Sequence, residues 1–121
     1  MYFPLFLDIS EAKFLVIGAG NVALAKIEAI LDFTNNISLL ADNISPNIQN
    51  ITGAKDIKII PTPYDKNLID EFDIIIAATN DSKFNARIAR DAKKSNKLVN
   101  IVDSPKDSSF IFGANIKKGN V

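Results

Sequence analysis

The stretch of sequence that most limits the fold comprises residues 14–31, FLVIGAGNVALAKIEAIL. It begins with an uninterrupted apolar run, continues through Gly18-Ala19-Gly20, and then shows the apolar periodicity of a helix over Asn21–Leu31. An uninterrupted apolar run is typical of a parallel strand that is covered on both faces, and glycines permit a sharp turn into a helix. We therefore predict a strand over residues 13–17, a glycine turn and a helix.

The glycine turn is a candidate binding site for a dinucleotide. Gly18 suits the tight turn after the strand, and Gly20 has no Cβ, so a pyrophosphate could approach the backbone at the helix N-terminus. Ala23 stands where the third glycine of a G-x-G-x-x-G pattern often lies. Taken alone, the pattern is a weak signal, because a turn that only lets the helix pack closely on the strand would also show it.

Asp42 follows the second apolar run, residues 36–41, about twenty residues after Gly20. A carboxylate at this distance holds the adenosine ribose hydroxyls in dinucleotide-binding folds. No Arg or Lys lies between Asp32 and Lys55, so the 2′-phosphate of NADP would meet an acid and no cation. The sequence therefore favours NAD, although Asp42 could also be only a turn or capping residue.

Composition limits the classes of function. The chain has 121 residues, 47% of them hydrophobic and 23% charged, with a formal net charge of zero. This indicates one soluble globular domain without a nucleic-acid or membrane partner. The absence of Cys and His excludes thiolate and zinc sites and Ser-His or Cys-His catalysis, and no resident metal is predicted. The N-terminus lacks the basic region of a signal peptide, which predicts a cytoplasmic protein.

The remaining sequence predicts alternating strands and helices. An apolar arm, residues 1–9, should pack against the rim of the sheet, and a helix should begin at Ser45-Pro46 and stop at Gly53. Asp65 should cap a short helix. Further strands are predicted over residues 36–41, 57–60, 73–78, 98–102 and 109–112, and a longer helix over residues 81–95.

Five repeats of strand and helix predict an α/β fold, a Rossmann-like doubly wound parallel sheet in a single domain. Ligands of such sheets bind at the carboxyl ends of the strands, where Asp103 follows the fifth strand and is the best candidate for chemistry. Basic residues on the last helix could bind carboxylates, but a solvated face is the favoured interpretation. These residues are Arg87, Arg90, Lys94 and Lys97.

Four motifs in this order carry a resemblance to a known family: PLFLDI, VIGAGNVALAK, AATND followed by Asn85, and NIVDSP followed by SFIF. The chain resembles, over essentially its whole length, the NAD-dependent precorrin-2 dehydrogenases, the dehydrogenase part of sirohaem synthase. Some members also insert ferrous iron into sirohydrochlorin. The resemblance implies oxidation of precorrin-2, a tetrapyrrole, to sirohydrochlorin with NAD as hydride acceptor, and transient binding of ferrous iron in members that are also ferrochelatases.

The resemblance also implies roles for particular residues. Asp103 matches the family's catalytic aspartate, the general base for the proton lost as hydride leaves the macrocycle; in chelating members it is also implicated in metal insertion. A carboxylate within hydrogen-bond reach of the reacting group suits that role. The residues implied to bind NAD are Gly18, Gly20, Asn21 and Val22 at the pyrophosphate, Asp42 and Asn43 at the adenosine, and Thr79 near the nicotinamide half.

The chain departs from the family at Ala25, where an arginine is usual, and at Gly113-Ala114, where Pro-Ala is usual. Family chains continue past the position of Val121 into a dimerisation segment and a small helical domain. We therefore expect residues 1–121 to form the NAD-binding domain of a protein that is a homodimer when complete.

The alternative function is that of a non-catalytic nucleotide-sensing domain of the kind that regulates potassium transport, which needs no aspartate after the fifth strand. A third possibility, a general hydroxyacid or carbonyl dehydrogenase, lacks support because no His, no Ser-Tyr-Lys set and no second catalytic domain are visible in the sequence.

Overall fold

The computed structural model describes residues 1–42, 46–48, 50 and 57–112. Within these ranges five parallel strands form one sheet in the order β3-β2-β1-β4-β5. The strands are β1 (Phe14–Ile17), β2 (Ile37–Leu40), β3 (Lys58–Ile60), β4 (Ile74–Ala77) and β5 (Leu98–Ile101). Because β2 and β4 flank β1, the chain order reverses next to the first strand, as in a doubly wound sheet.

Helices connect the strands on both sides of the sheet. Helix α1 (Asn21–Leu31) joins β1 to β2, and helix α2 (Ser82–Lys94) joins β4 to β5. A 3₁₀ helix (Lys66–Glu71) precedes β4, a second (Pro105–Asp107) follows β5, and residues 46–48 and 50 are helical. No helix in these described ranges is long and apolar enough to cross a membrane.

The alternation of side chains along β1 divides the core into two layers. Phe14 and Val16 pack with Ile27 of α1, whereas Leu15 and Ile17 belong to the layer that contains Ile88 of α2. All four residues of β1 are buried, which explains why the apolar run is uninterrupted. Burying one such side chain contributes about 1.5 to 3 kcal/mol, so the central strand ties both layers together.

The predicted sheet, the glycine turn and the two long helices are confirmed. Each predicted strand over residues 13–102 and each long helix differs from the observed one by no more than one residue at either end. Asp65 caps the short helix as predicted, since its carboxylate accepts a hydrogen bond of 2.8 Å from the Asn67 N–H. Part of the helix predicted from Ser45 to Gly53 lies outside the described residues.

The short strand predicted over residues 109–112 is wrong. This segment runs along the free edge of β5, but serine side chains replace part of the hydrogen bonding of a strand. The Val99 N–H donates to Ser109 Oγ at 2.7 Å, and the Ile101 N–H donates to Ser108 Oγ at 2.8 Å. Two backbone N–H groups of the edge strand β5 therefore have hydrogen-bond acceptors although no sixth strand of the described residues pairs with β5.

The N-terminal arm does not pack as predicted. Phe3 and Phe6 are more than four-fifths exposed, and of the arm it is Ile9 that contacts the core. A turn in which the Ser10 N–H donates to Asp8 Oδ1 at 3.0 Å separates the arm from β1. Among the described residues no backbone hydrogen bond links residues 1–7 to the sheet, so the arm gains no edge pairing that would hold it there.

Candidate functional site

Backbone hydrogen bonds align the carboxyl ends of four strands at one edge of the sheet. The ladders continue one residue past the strands: the Gly18 N–H donates to Leu40 O at 2.9 Å, the Ala78 N–H to Ile17 O at 2.8 Å, and the Val102 N–H to Ala77 O at 3.2 Å. The turns that follow β1, β4 and β5 are therefore held side by side. Together with the end of β2 they enclose a crevice of about 700 Å³.

The crevice collects the residues that the sequence singles out. Its lining includes seven of the eight predicted site residues, namely Gly18, Gly20, Asn21, Val22, Asp42, Thr79 and Asp103. Asn43 lies outside the described residues. Positions separated by up to 85 residues along the chain thus share one cavity, because parallel strands bring their carboxyl ends to the same edge.

The two glycines of the first turn meet different physical demands. Gly18 has φ +142°, and a Cβ on it would lie 2.3 Å from the Ala78 carbonyl oxygen. Gly20 has an extended backbone, with φ −93°, and a Cβ on it would have no atom within 4 Å. The protein's own packing requires the first glycine, whereas the second leaves open space on the crevice side that a ligand could occupy.

The N-terminus of α1 is open. Gly20 is its N-cap residue and supplies no side-chain hydrogen bond, and the first turn contains no acidic residue. The backbone N–H groups of Asn21 and Val22 therefore lack a capping acceptor from the protein's described side chains, and the helix dipole adds partial positive charge there. Such an end favours an anion such as a pyrophosphate.

The turn after β4 is closed by its own side chains. Asp81 Oδ1 accepts hydrogen bonds of 3.1 Å from the N–H groups of Lys83 and Phe84, which caps α2. Asn85 is buried, accepts from the Thr79 N–H at 3.3 Å and from the Thr79 hydroxyl, and donates to the Thr79 carbonyl at 3.0 Å. Thr79 is thereby fixed at the crevice wall.

Asp103 stands on a turn that is held by short-range hydrogen bonds. The Ser104 N–H donates to Ile101 O at 3.2 Å, Ser104 Oγ donates to Asp107 Oδ2 at 2.7 Å, and Ser108 Oγ donates to Ser104 O at 3.0 Å. The Asp103 side chain itself is exposed and lines the crevice beside Val102. Its carboxylate is therefore accessible to a ligand while its backbone is restrained.

Three crevice residues, Pro63, Tyr64 and Phe84, were not predicted as part of the site. Tyr64 donates its hydroxyl to Asp91 Oδ2 at 2.6 Å and meets the Phe84 ring edge-on at 5.4 Å between centroids. Burial, and next the Asp91 hydrogen bond, raise the pKa of Tyr64. These side chains form an apolar wall in the same cavity as Asp42. The Pro63-Tyr64 pair in the loop after β3 is the sequence signal that could have identified this wall.

The buried Asn85 belongs to one of the four sequence motifs, but the sequence alone assigns it no role. Its signal is a polar residue between the inward-facing Phe84 and Ile88 of α2, where the helical pattern calls for an apolar side chain. A buried amide needs partners, and Thr79 supplies them.

Comparisons with known proteins support a dinucleotide as the class of ligand. A family model with the description "Putative NAD(P)-binding" matches residues 5–114. The chain is 38% identical over 111 residues to the siroheme synthase of Baumannia cicadellinicola subsp. Homalodisca coagulata, and 36% identical over 111 residues to that of Zymomonas mobilis subsp. mobilis. Each match covers 92% of this chain and 24% of the relative, so the chain spans about a quarter of the length of these curated relatives.

A solved structure of SirC, a precorrin-2 dehydrogenase, is similar in fold. It superposes with a TM-score of 0.73 at 20% sequence identity, and the match covers 92% of this chain and 54% of SirC. The resemblance inferred from the motifs is confirmed, as are the Rossmann-like fold and a nicotinamide dinucleotide as the ligand class. Because the family model extends over most of its length, the chain belongs to this NAD(P)-binding family.

Proposed function

We propose that the chain is the cofactor-binding part of an NAD-dependent dehydrogenase that oxidises precorrin-2 to sirohydrochlorin in sirohaem biosynthesis. One observation carries the proposal: an accessible carboxylate, Asp103, lines the same crevice as an open glycine turn. A dehydrogenase needs both a site for a hydride-accepting dinucleotide and a proton acceptor beside it. The siroheme synthases and SirC support the choice of substrate.

For the cofactor, we propose that the pyrophosphate of NAD lies against Gly18, Gly20, Asn21 and Val22. The open space at Gly20 and the uncapped N-terminus of α1 support this position. Thr79 would border the nicotinamide half on the opposite wall, held there by Asn85. When bound, NAD supplies the acceptor for the hydride that leaves the substrate.

The preference for NAD over NADP rests on charge. Asp42 lines the crevice at the end of β2, where its carboxylate can accept hydrogen bonds from the ribose hydroxyls, with Asn43 beside it in sequence. No Lys or Arg is among the described residues that line the crevice. A 2′-phosphate next to Asp42 would therefore be repelled without a compensating cation.

We assign the proton-transfer step to Asp103. As a C–H bond of the macrocycle breaks and its hydrogen leaves as hydride, one proton must also be removed, and the Asp103 carboxylate accepts it. The nucleotide-sensing alternative would make no use of this exposed carboxylate. Iron insertion, a homodimer and a cytoplasmic location stay predictions from the resemblance and the sequence.

The test is an anaerobic assay of the purified chain with precorrin-2 and NAD, in which NADH and sirohydrochlorin absorbance are followed together. Formation of both above the enzyme-free rate supports the proposal. Asp103→Asn should bind NAD normally and lose at least about two orders of magnitude in turnover, as expected for a general base. Asp70→Asn, which changes an exposed aspartate of the 3₁₀ helix before β4, is the matched control. Normal turnover by the Asp103 variant would refute its role, and ferrous iron added in a second step measures chelation separately.

A further inference from the structure

Lys26 is a cation near the crevice to which the proposed reaction assigns no role. It lies on α1 one helical turn after Val22, which lines the crevice, and helical side chains lean toward the N-terminus of their helix. The long Lys26 side chain therefore extends toward the end of α1 that borders the crevice. Lys26 is not itself a lining residue of the crevice.

Phe112 holds the Lys26 ammonium group on the β5 side of α1. The Nζ atom lies 4.1 Å from the centroid of the Phe112 ring, a distance at which the aromatic face attracts a cation. Phe112 belongs to the segment, residues 109–112, that runs along the edge of β5, where the Asn100 side-chain amide donates to the Phe110 carbonyl at 3.1 Å. Because Asp103 follows β5, Lys26 lies on the Asp103 side of the site, and the charge of Asp103 acts on it.

The charge on Lys26 is only partly solvated. Burial lowers the pKa of Lys26, and the negative charge of Asp103 acts against that shift. No carboxylate of residues 1–42, 46–48, 50 or 57–112 lies within ion-pair distance of this ammonium group. The lysine therefore interacts with Asp103 through space, and no described carboxylate occupies its ammonium group, which could bind a further anion.

We propose that Lys26 binds a carboxylate of the macrocyclic substrate next to Asp103. The inference rests on the proposed function, because a macrocycle with carboxylate side chains would be repelled by the Asp103 carboxylate unless a cation stood beside it. Lys26 supplies that cation outside the cofactor crevice, where a substrate must lie to face the dinucleotide. The pyrophosphate of the cofactor is the less suitable partner, since Lys26 does not line the crevice.

The test compares Lys26→Met, Lys26→Arg and the control Lys93→Met, which removes an exposed lysine from the last turn of α2. In the precorrin-2 assay, Lys26→Met should raise the KM for precorrin-2 at least tenfold and leave the KM for NAD nearly unchanged. Lys26→Arg should restore most of the loss, and Lys93→Met should behave as the unmodified chain. Because burial disfavours the Lys26 charge, Lys26→Met should melt no lower than the unmodified chain, which separates substrate binding from a structural role.

A binding measurement keeps the inference testable apart from turnover. Fluorescence anisotropy of uroporphyrin III, a macrocycle with eight carboxylates, reports binding without chemistry. Weaker uroporphyrin binding by Lys26→Met with no turnover by any form would support the role of Lys26 and show that this chain alone does not carry out the proposed reaction. Three outcomes for Lys26→Met would each overturn the role of Lys26. These are turnover with an unchanged KM for precorrin-2, uroporphyrin binding equal to that of the unmodified chain, and a rise in the KM for NAD alone.

Discussion

The turns after β1 and β4 lie side by side, yet the helix after the first turn has an uncapped N-terminus and the helix after the second has a capped one. The N-terminus of α1 begins at Gly20 without a side-chain cap, whereas Asp81 caps α2 with hydrogen bonds to two N–H groups. Thr79, in the second turn, is bound three times by the buried Asn85. The first turn thus leaves its polar groups available to a ligand, and the second uses them to stabilise the fold.

A position at a strand end therefore does not by itself make a turn that binds a ligand. Both helices follow parallel strands and both N-termini face the same crevice, so topology alone would make them equivalent. The side chain at the N-cap position distinguishes them, because a carboxylate already occupies the site that an anion would take. Substitutions at these two turns test the contrast.

The largest effect is expected for Gly18→Ala. The added Cβ would lie 2.3 Å from the Ala78 carbonyl oxygen, and alanine would have to adopt φ +142°. We expect a loss of about 3 kcal/mol or more in the free energy of unfolding, from steric overlap and backbone strain together. Urea denaturation followed by circular dichroism measures it; a loss below about 1 kcal/mol would show that the two strand ends can separate easily.

The next substitution, Gly20→Asp, would convert the open turn into a closed one. The extended backbone at Gly20 accepts any residue, and a Cβ there meets no atom within 4 Å. An aspartate cap should leave the free energy of unfolding unchanged or raise it by about 0.3 kcal/mol, and should weaken NAD binding more than about tenfold through occupation and repulsion. Calorimetric titration with NAD is the measurement. Ala25→Asp, which adds the same charge to an exposed position of α1, should bind NAD normally.

A smaller loss of stability is expected for Asn85→Ala. It leaves the part-buried N–H and carbonyl groups of Thr79 without the Asn85 amide, which costs about 2 kcal/mol. Asn85→Asp keeps the acceptor for the Thr79 N–H but loses the donor, so its loss should be intermediate at a pH where the carboxylate is charged. Asn67→Ala, at an exposed position, controls for the change of residue type. Equal stability of the Asn85 and Asn67 variants would contradict the account of the closed turn.

The smallest effect is expected for Asp81→Ala. Removal of the cap frees the N–H groups of Lys83 and Phe84 and should cost about 1 kcal/mol of unfolding free energy. NAD affinity should stay within about twofold, because the cofactor uses the other helix. A clear gain in NAD affinity would mean instead that the opened end of α2 also binds the cofactor.

Sequence reasoning succeeded where one local pattern decides the outcome. The apolar run of β1 and its glycine turn predict a strand buried on both faces and a turn at the crevice, and both are observed. Sequence reasoning failed where a polar group has several possible hydrogen-bond partners. The edge of β5 could have paired with another strand, but the hydroxyls of Ser108 and Ser109 satisfy it, and no periodicity predicts that choice.

The same limit applies to the site. Asp42 and Asp103 could be predicted because each directly follows a strand, and parallel topology brings strand ends together. The contact between Tyr64 and Asp91 depends on how α2 docks on the loop after β3, which local sequence does not report. Asn85 is the intermediate case: its burial could be predicted from the helical pattern, but its partner could not.

The most direct test of the contrast between the two turns is a titration of NAD into the ¹⁵N-labelled chain, followed by amide signals in NMR spectra. We predict that the signals of Gly20, Asn21 and Val22 shift with NAD concentration, whereas the amide of Lys83, already bonded to Asp81, does not. Shifts at Lys83 with none at Gly20 to Val22, or no shifts at millimolar NAD, would contradict the account.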